Sequence, residues 1–442
     1  MRTRIDRGQV WSEGALRNLS ILIENGTVAR LIEPQSAETA AADRVLDAGG
    51  LWVLPGGIDL HVHISDGAET FGPGSRCAAA GGVTTVLDMA PFHGCVRPEQ
   101  LKAKLAQAEA ACVTDFGLIA GIVVALEDLE ALDQLAEMGA AYFKVFMPSD
   151  PPVDARTLWA SVQAAARTGL RLGLHAEETG CFAADVDWDD PLGFARSRPA
   201  VAETSATAQI LEMARAAGAP VHICHVSAAH SAELIASARA QGVDVTSEVT
   251  AHFLLLDESE FARQGPRVKT TPPLRARADT EALWQALAAG VLDALACDHF
   301  IGSLAPAPAD PSGIRQAAAG IGGLELSLPL LFSAGVRAGR IALERFVAAA
   351  AERPAEIAGL APKKGRIAPG ADADLILIDP AADWTVAPQG DFSRVATTPF
   401  AGWRLQGRIR RTMVRGRTVW DGERITAPAG FGAFAPARRA VS

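Results

Sequence analysis

Apolar positions along the chain change their period twice. Over the first fifty residues they come in short runs separated by turn residues. In ILIENGTVARLIE the pair Asn25-Gly26 stands between two such runs, the favoured pair for a tight hairpin turn. From about residue 52 the texture changes. Short apolar segments (WVLPGGIDLHVH, GGVTTVLDMA, FGLIAGIVV, AYFKVFM, LRLGLHAE, PVHICHVS, VDVTSEVT, VLDALACDH) alternate with Ala/Leu/Glu-rich stretches of helical period at 98–112, 154–168, 199–217, 228–240 and 279–289. Strand candidates alternating with helices in this way predict an α/β chain folded as a (β/α)8 TIM barrel; a doubly wound sheet is the competing arrangement that periodicity leaves open. GRIAPGADADLILIDP and residues 400–425 return to turn-and-strand character. Both chain ends are therefore expected to pair in one small β-sandwich domain, with 1–52 as its N-terminal part, 53–364 as the barrel and 365–442 as its C-terminal part plus a tail. The tail FGAFAPARRAVS is expected to be loose or an interface arm, and no repeat of matching residues is found.

Composition narrows the classes. With 49% hydrophobic and 21% charged residues among 442, the chain can fill a sizeable core, which excludes disordered and fibrous proteins. Forty-one Lys+Arg against fifty-one Asp+Glu leave a formal charge of −10 with no long basic run, so nucleic acid is not expected as a partner. No apolar run is long enough to span a bilayer, and the start, MRTRIDRGQVWSEG, has no apolar stretch after its positive charges. A soluble cytoplasmic protein without membrane contact is expected. Cys77, Cys95, Cys112, Cys181, Cys224 and Cys297 are scattered with no CxxC pair and read as reduced thiols.

Several of the nine histidines close strand candidates. His61 and His63 lie two apart at the end of the first barrel strand, so the pleat projects both rings to one side, where two imidazoles can share a metal ion. His175, His225 and Asp298 close three other strand candidates, at the rim where barrel enzymes place catalytic groups. Lys144 lies inside the apolar run AYFKVFM. The ordinary reading is a lysine whose stem is buried and whose amine snorkels out. The chemical alternative begins from desolvation, which favours the neutral form of a buried amine. A neutral amine adds carbon dioxide, and the resulting carbamate is an anion able to bridge two metal ions. His222, three residues before His225, is expected to face the other side of its strand and pack under a helix. His230 and His252 lie past strand ends, His299 is expected to support the rim by hydrogen bonding, and His93 follows the second strand where substrate-facing residues are found.

In order, PGGIDLHVH, AAAGGVTTVLDM, FKVFM, the HxE of LHAEE, HICHVS, TPPLR, CDH, GIGGLEL and GRIAPGADADLILID resemble the cyclic-amide branch of the amidohydrolase superfamily: hydantoinases, dihydropyrimidinases, allantoinases and dihydroorotases. The resemblance spans roughly residues 50–425 and implies two divalent ions, usually zinc, with iron, cobalt or manganese also suited to the ligand types. Carried onto this chain, it implies His61, His63, Lys144 and Asp298 around one ion and Lys144, His175 and His225 around the other, with a carbamate on Lys144. It also implies a homo-oligomer, dimer or tetramer. Paired ions lower the pKa of a shared water, and Asp298 would carry the proton to the departing ring nitrogen.

The substrate is expected to be a small neutral cyclic amide. Dihydroorotases carry an arginine just after the paired histidines and an asparagine after the second strand to hold a carboxylate; here those stretches read HVHISDG and DMAPFHG. Hydantoinases and dihydropyrimidinases place an oxyanion-supporting tyrosine five residues after the lysine, where this chain has Ser149; its only tyrosine is Tyr142. HIS after the histidine pair, SRPAVAE and the GIGGLEL segment resemble allantoinases, although DGAETFGPG replaces their EPGR stretch. The order of expectation is an allantoinase-like ring opener, then a hydantoinase, dihydropyrimidinase or cyclic imide hydrolase, then dihydroorotase. By family position, Thr271, Pro272, Gly320 and Gly323 are expected to hold the ring, with His93 and Ser149 as further contacts. Two readings from other classes stand beside this one: a metal-free relative acting as an assembly protein, and another barrel metallohydrolase such as a phosphotriesterase or deaminase.

Overall fold

The computed structural model describes residues 2–33, 41–91, 94–302, 311–388, 392 and 398–438. Eight parallel strands close into a barrel, and the closure depends on two strands that are each broken in the middle. The first, second and fourth to seventh strands are Gly57–His63, Val83–Asp88, Phe143–Phe146, Leu172–His175, Val221–Ile223 and Val245–Thr250. The third is split into Asp115–Leu118, which pairs with the second strand, and Ala120–Val123, which pairs with the fourth. The eighth is split into Ala294–Ala296, paired with the seventh, and His299–Phe300, paired with the first. Each break lets one strand change neighbours, so the ring closes without a free edge. The architecture is the (β/α)8 barrel, not the doubly wound sheet.

Helices fill the outside. Pro98–Ala111, Ala155–Thr168, Ala200–Ala217, Ala229–Ala240 and Arg277–Ala288 fall on the five stretches of helical period in the sequence. Ala155–Thr168 shows why. The Asp154 carboxylate accepts from the Thr157 amide at 2.7 Å to start it, Gly169 ends it in the left-handed region (φ 66°), and Leu158, Ser161, Val162 and Ala165 form the buried stripe between. No helix among the described residues is long and apolar enough to cross a membrane.

The chain ends build two facing sheets. One orders Thr27–Ile32, Ser20–Glu24, Arg2–Asp6 and Arg44–Asp47; the other orders Arg417–Trp420, Arg404–Val414, Leu375–Thr385, Trp52–Pro55, Gln9–Ser12 and Ala15–Asn18. Ile5, Val10, Ile21, Ile23, Val53, Leu375, Leu377 and Met413 fill the space between them. Asn25-Gly26 does make the tight turn, both residues being left-handed (φ 50° and 83°), and Arg415-Gly416 makes a second of the same kind (φ 45° and 71°).

Two sequence expectations need correction. WVLPGGIDLHVH is not one barrel strand: Trp52–Pro55 pairs with Leu375–Ile378 in the sandwich, and only Gly57–His63 enters the barrel. The hinge is Gly56, where a β-carbon would meet the Thr84 side chain at 2.3 Å. The tail is not loose over 431–438. Phe116 donates to Ala433 O and accepts from the Ala435 amide (3.1 and 2.7 Å), and the Ala437 and Arg438 amides reach Gly139 O and Gly359 O. These bonds are backbone bonds, so a Gly/Ala/Pro-rich segment with no apolar period can make them.

Candidate metal centre

The carboxyl ends of the strands bring six side chains to one cavity. His61 and His63 from the first strand, Lys144 from the fourth, His175 from the end of the fifth, and His225 and Asp298 just beyond the sixth strand and the first half of the eighth all line it. The His61 and His63 ring centroids are 5.3 Å apart, His61 and His225 5.1 Å, and His175 and His225 4.5 Å. Asp298 Oδ1 lies 3.2 Å from His61 Nε2 and 3.5 Å from His63 Nε2. Donor atoms of His61, His63 and Asp298 all fall within 4.8 Å of one another, close enough for one ion. His225 and Asp298 are both held in the left-handed region (φ 36° and 49°), a conformation that costs a non-glycine residue energy and turns each side chain inward.

Buried carboxylates behind the rim orient the rings. Glu248, on the seventh strand and fully buried, accepts from His61 Nδ1, lies 3.1 Å from His222 Nε2 and accepts from the His225 amide at 3.2 Å. His61 Nε2 therefore points its lone pair at the cavity. Glu177 does the same for His175, whose Nε2 lies 2.6 Å from Glu177 Oε2, leaving Nδ1 for the cavity; Arg198 closes the chain by pairing with Glu177. Such outer carboxylates fix the tautomer a metal ligand needs. Burial raises the Glu248 and Asp298 pKa values, but the surrounding imidazoles outweigh it and hold both carboxyls well below the usual range. Burial, with the neighbouring positive charges, lowers His61, His175 and His225, so the neutral ligating form is the stable one.

Whether these residues fit a pair of cations is decided by Lys144. Its Nζ is buried and has no hydrogen-bond partner of ordinary geometry, and neither has His225 Nδ1. Its polar neighbour is the Cys224 thiol, which burial pushes up to about 12 and so keeps neutral. A buried amine without a partner is costly, and four imidazoles beside it add no compensation. The donor set fits metal ions together with an anionic form of the lysine.

The other expected residues separate. Thr271 and Gly320 line the cavity; Pro272 and Gly323 do not. The Gly323 amide instead donates to His299 Nδ1 at 3.1 Å, and His299 Nε2 reaches Glu69 at 2.5 Å. Ser149 is away from the cavity, its hydroxyl donating to Pro151 O at 2.8 Å. His93 lies outside the described residues. His230 is exposed against Glu233, and His252 is buried near Asp298, its pKa lowered to about 4 by burial. His222 does not pack under a helix; it faces the barrel interior, bonded to Glu248 and Thr246. The parity argument assumed a continuous strand, whereas the sixth strand ends at Ile223 and the left-handed backbone of His225 brings its ring back to the same side. Sequence reasoning gave no role to Glu248. Its signal was a lone carboxylate in the buried strand VTSEVT.

Apart from Thr270 beside Thr271, the rest of the described cavity wall is apolar: Met89, Ala90, Ile122, Phe146, Phe300 and Ala319. Lys144 is the only lysine or arginine among the described lining residues.

A barrel with imidazoles and a carboxylate converging at its carboxyl rim is an arrangement suited to hydrolysis, and comparison with known proteins gives the class of enzyme. Residues 52–419 match the amidohydrolase family. The chain is 36% identical to an allantoinase of Rubrobacter xylanophilus over 87% of its own length and 88% of the relative's, and 34% identical to a D-hydantoinase of Streptomyces coelicolor over 98% of each. The solved L-hydantoinase (dihydropyrimidinase) from Arthrobacter aurescens superposes with a TM-score of 0.91 at 30% identity, covering 98% of this chain and 99% of that one. The chain belongs to the amidohydrolase family and is a hydrolase of its cyclic-amide branch.

Proposed function

We propose that the protein opens a neutral five- or six-membered ring amide or imide, with allantoin the first candidate and a hydantoin or cyclic imide the second. The observation that carries this reading is the buried, unpartnered Lys144 amine among four imidazoles and Asp298, in a cavity with no other basic side chain of lysine or arginine type among its described lining residues. As a carbamate, Lys144 would hold two divalent ions, zinc or another first-row metal, with His61, His63 and Asp298 on one side and His175 and His225 on the other. When bound, the ions supply an activated water and an electrophile for the ring carbonyl.

The chain's own residues do the rest. Glu248 and Glu177 keep His61 and His175 in their ligating tautomers. Asp298 takes a proton on its carboxylate as the carbonyl is attacked and returns it to the departing ring nitrogen. Phe146, Phe300, Ile122 and Met89 exclude bulk water and favour a ring without charge. With no arginine on the described wall, a carboxylate-bearing ring such as dihydroorotate lacks a bidentate partner. The expected assembly is a homo-oligomer, dimer or tetramer, in the cytoplasm.

Assaying allantoin, hydantoin, dihydrouracil, succinimide and dihydroorotate side by side with metal-loaded enzyme tests the reading. Turnover of a neutral ring is expected. Efficient turnover of dihydroorotate with none of the others would overturn it.

A further inference from the structure

An unassigned cavity of about 560 Å³ lies at the mouth of the sandwich, within the size range of about 300–1,000 Å³ typical of ligand pockets. Arg44 and Thr3 line it from one sheet, and Arg411, Arg417 and Thr418 from the other. At its floor Arg415 is neutralised by Asp115 at the amino end of the third barrel strand, so the cavity opens at the end of the barrel away from the metal centre.

Arg44, Arg411 and Arg417 make no ion pair among the described residues. Arg411 donates to Thr418 Oγ1 at 3.0 Å, and Arg417 stacks over Phe431 at 5.1 Å. The single acid on the wall, Asp421, is paired with Arg424. Burial and the nearby Arg44 charge lower the Arg411 pKa and outweigh the opposing effect of Asp421, so two like charges lie near each other in partly desolvated space with one acid to offset them. An excess of positive charge concentrated in one concavity of a chain of formal charge −10 is the opposite of what its composition would scatter by chance. Guanidinium forks from two sides match an anion with two or more charged oxygens.

We propose that this cavity binds a small dianion, a phosphate or a dicarboxylate, clamped between Arg44 of one sheet and Arg411 and Arg417 of the other. Calorimetric titration of the metal-loaded full-length protein with inorganic phosphate, and separately with malonate, tests it and distinguishes the two sources. Saturable binding of at least one is expected, weakened about tenfold or more in Arg411→Gln/Arg417→Gln and unchanged in Arg404→Gln, an exposed arginine at the far end of the same strand. Arg44→Gln, on the exposed edge strand Arg44–Asp47, repeats the comparison without altering the long strand, should the double variant fold poorly. Ring-opening activity is expected to be unchanged in all of them. No saturable uptake of either anion, or equal affinity in the arginine variants, would overturn the proposal.

Discussion

Among the described residues, groups of three potential metal donors gather at both ends of the barrel, two sharing His61 at the carboxyl end and one at the amino end, and the two ends differ in how their charge is met. At the amino end Asp115, Asp372 and Asp374 come within ligand distance of one another, but Lys364 Nζ lies between them at 2.7, 3.1 and 2.7 Å and Arg415 pairs with Asp115. Burial alone would lower the Lys364 pKa; Asp374 and Asp372 outweigh it and raise it. That cluster is a closed ion network joining the barrel to the sandwich. At the carboxyl end the basic group, Lys144, makes no ion pair among the described residues, and burial favours the neutral rings of His61, His175 and His225 beside it. Donor geometry alone does not separate the two. The amine without an ion-pair partner does, and it marks the end where metal ions fit.

The sharpest way to break the comparison is to remove each lysine. Lys144→Ala should abolish ring opening and release metal, and with both proteins compared metal-free it should cost less stability than Lys364→Ala, because the amine it deletes makes no ion pair among the described residues. Lys364→Ala should do the reverse, keeping metal content and costing about 3–5 kcal/mol, since three buried carboxylates lose their cation. Elemental analysis and denaturant unfolding of the two variants read both effects, and equal behaviour would erase the distinction. Asp298→Asn is expected to lower kcat by about 10²–10⁴ through lost proton transfer, checked by steady-state kinetics with metal content measured in parallel.

The carboxyl-end cluster was far more legible in the sequence than the amino-end one. His61, His63 and His175 sit inside or at the end of short apolar runs, and Asp298 ends another, so strand-end position alone pointed to the rim. Glu248 was not legible, because its role is a contact with a histidine 187 residues away across the barrel. Lys364 and Asp115, 249 residues apart, look in sequence like ordinary turn and strand charges. His222 shows the limit of pleat parity where a strand ends in a left-handed residue. The alternation of strand and helix carried the barrel, but not the breaks in the third and eighth strands that close it.

Smaller effects sharpen the same contrast. Glu248→Gln keeps the size of the side chain but loses the charge that orients His61, and should weaken metal binding by about 10–100-fold with little change in unfolding free energy beyond that linked to the metal; competition with a chelator measures it. The amino-end network carries a pH signature. Because the Lys364 pKa is raised in the folded state, its contribution is fully present below the ordinary lysine value of 10.5 and is lost as pH rises through the folded value above it. The stability gap between wild type and Lys364→Ala should therefore hold across neutral pH and narrow only above that range, as read by denaturant unfolding at stepped pH.

The central claim is that Lys144 works as a carbamate. Loading the enzyme with metal in the presence of ¹³C-bicarbonate and recording its ¹³C spectrum tests this most directly. A carbamate resonance in active wild-type protein that is absent from Lys144→Ala is the expected result. A fully active enzyme whose Lys144 is a free amine would contradict it.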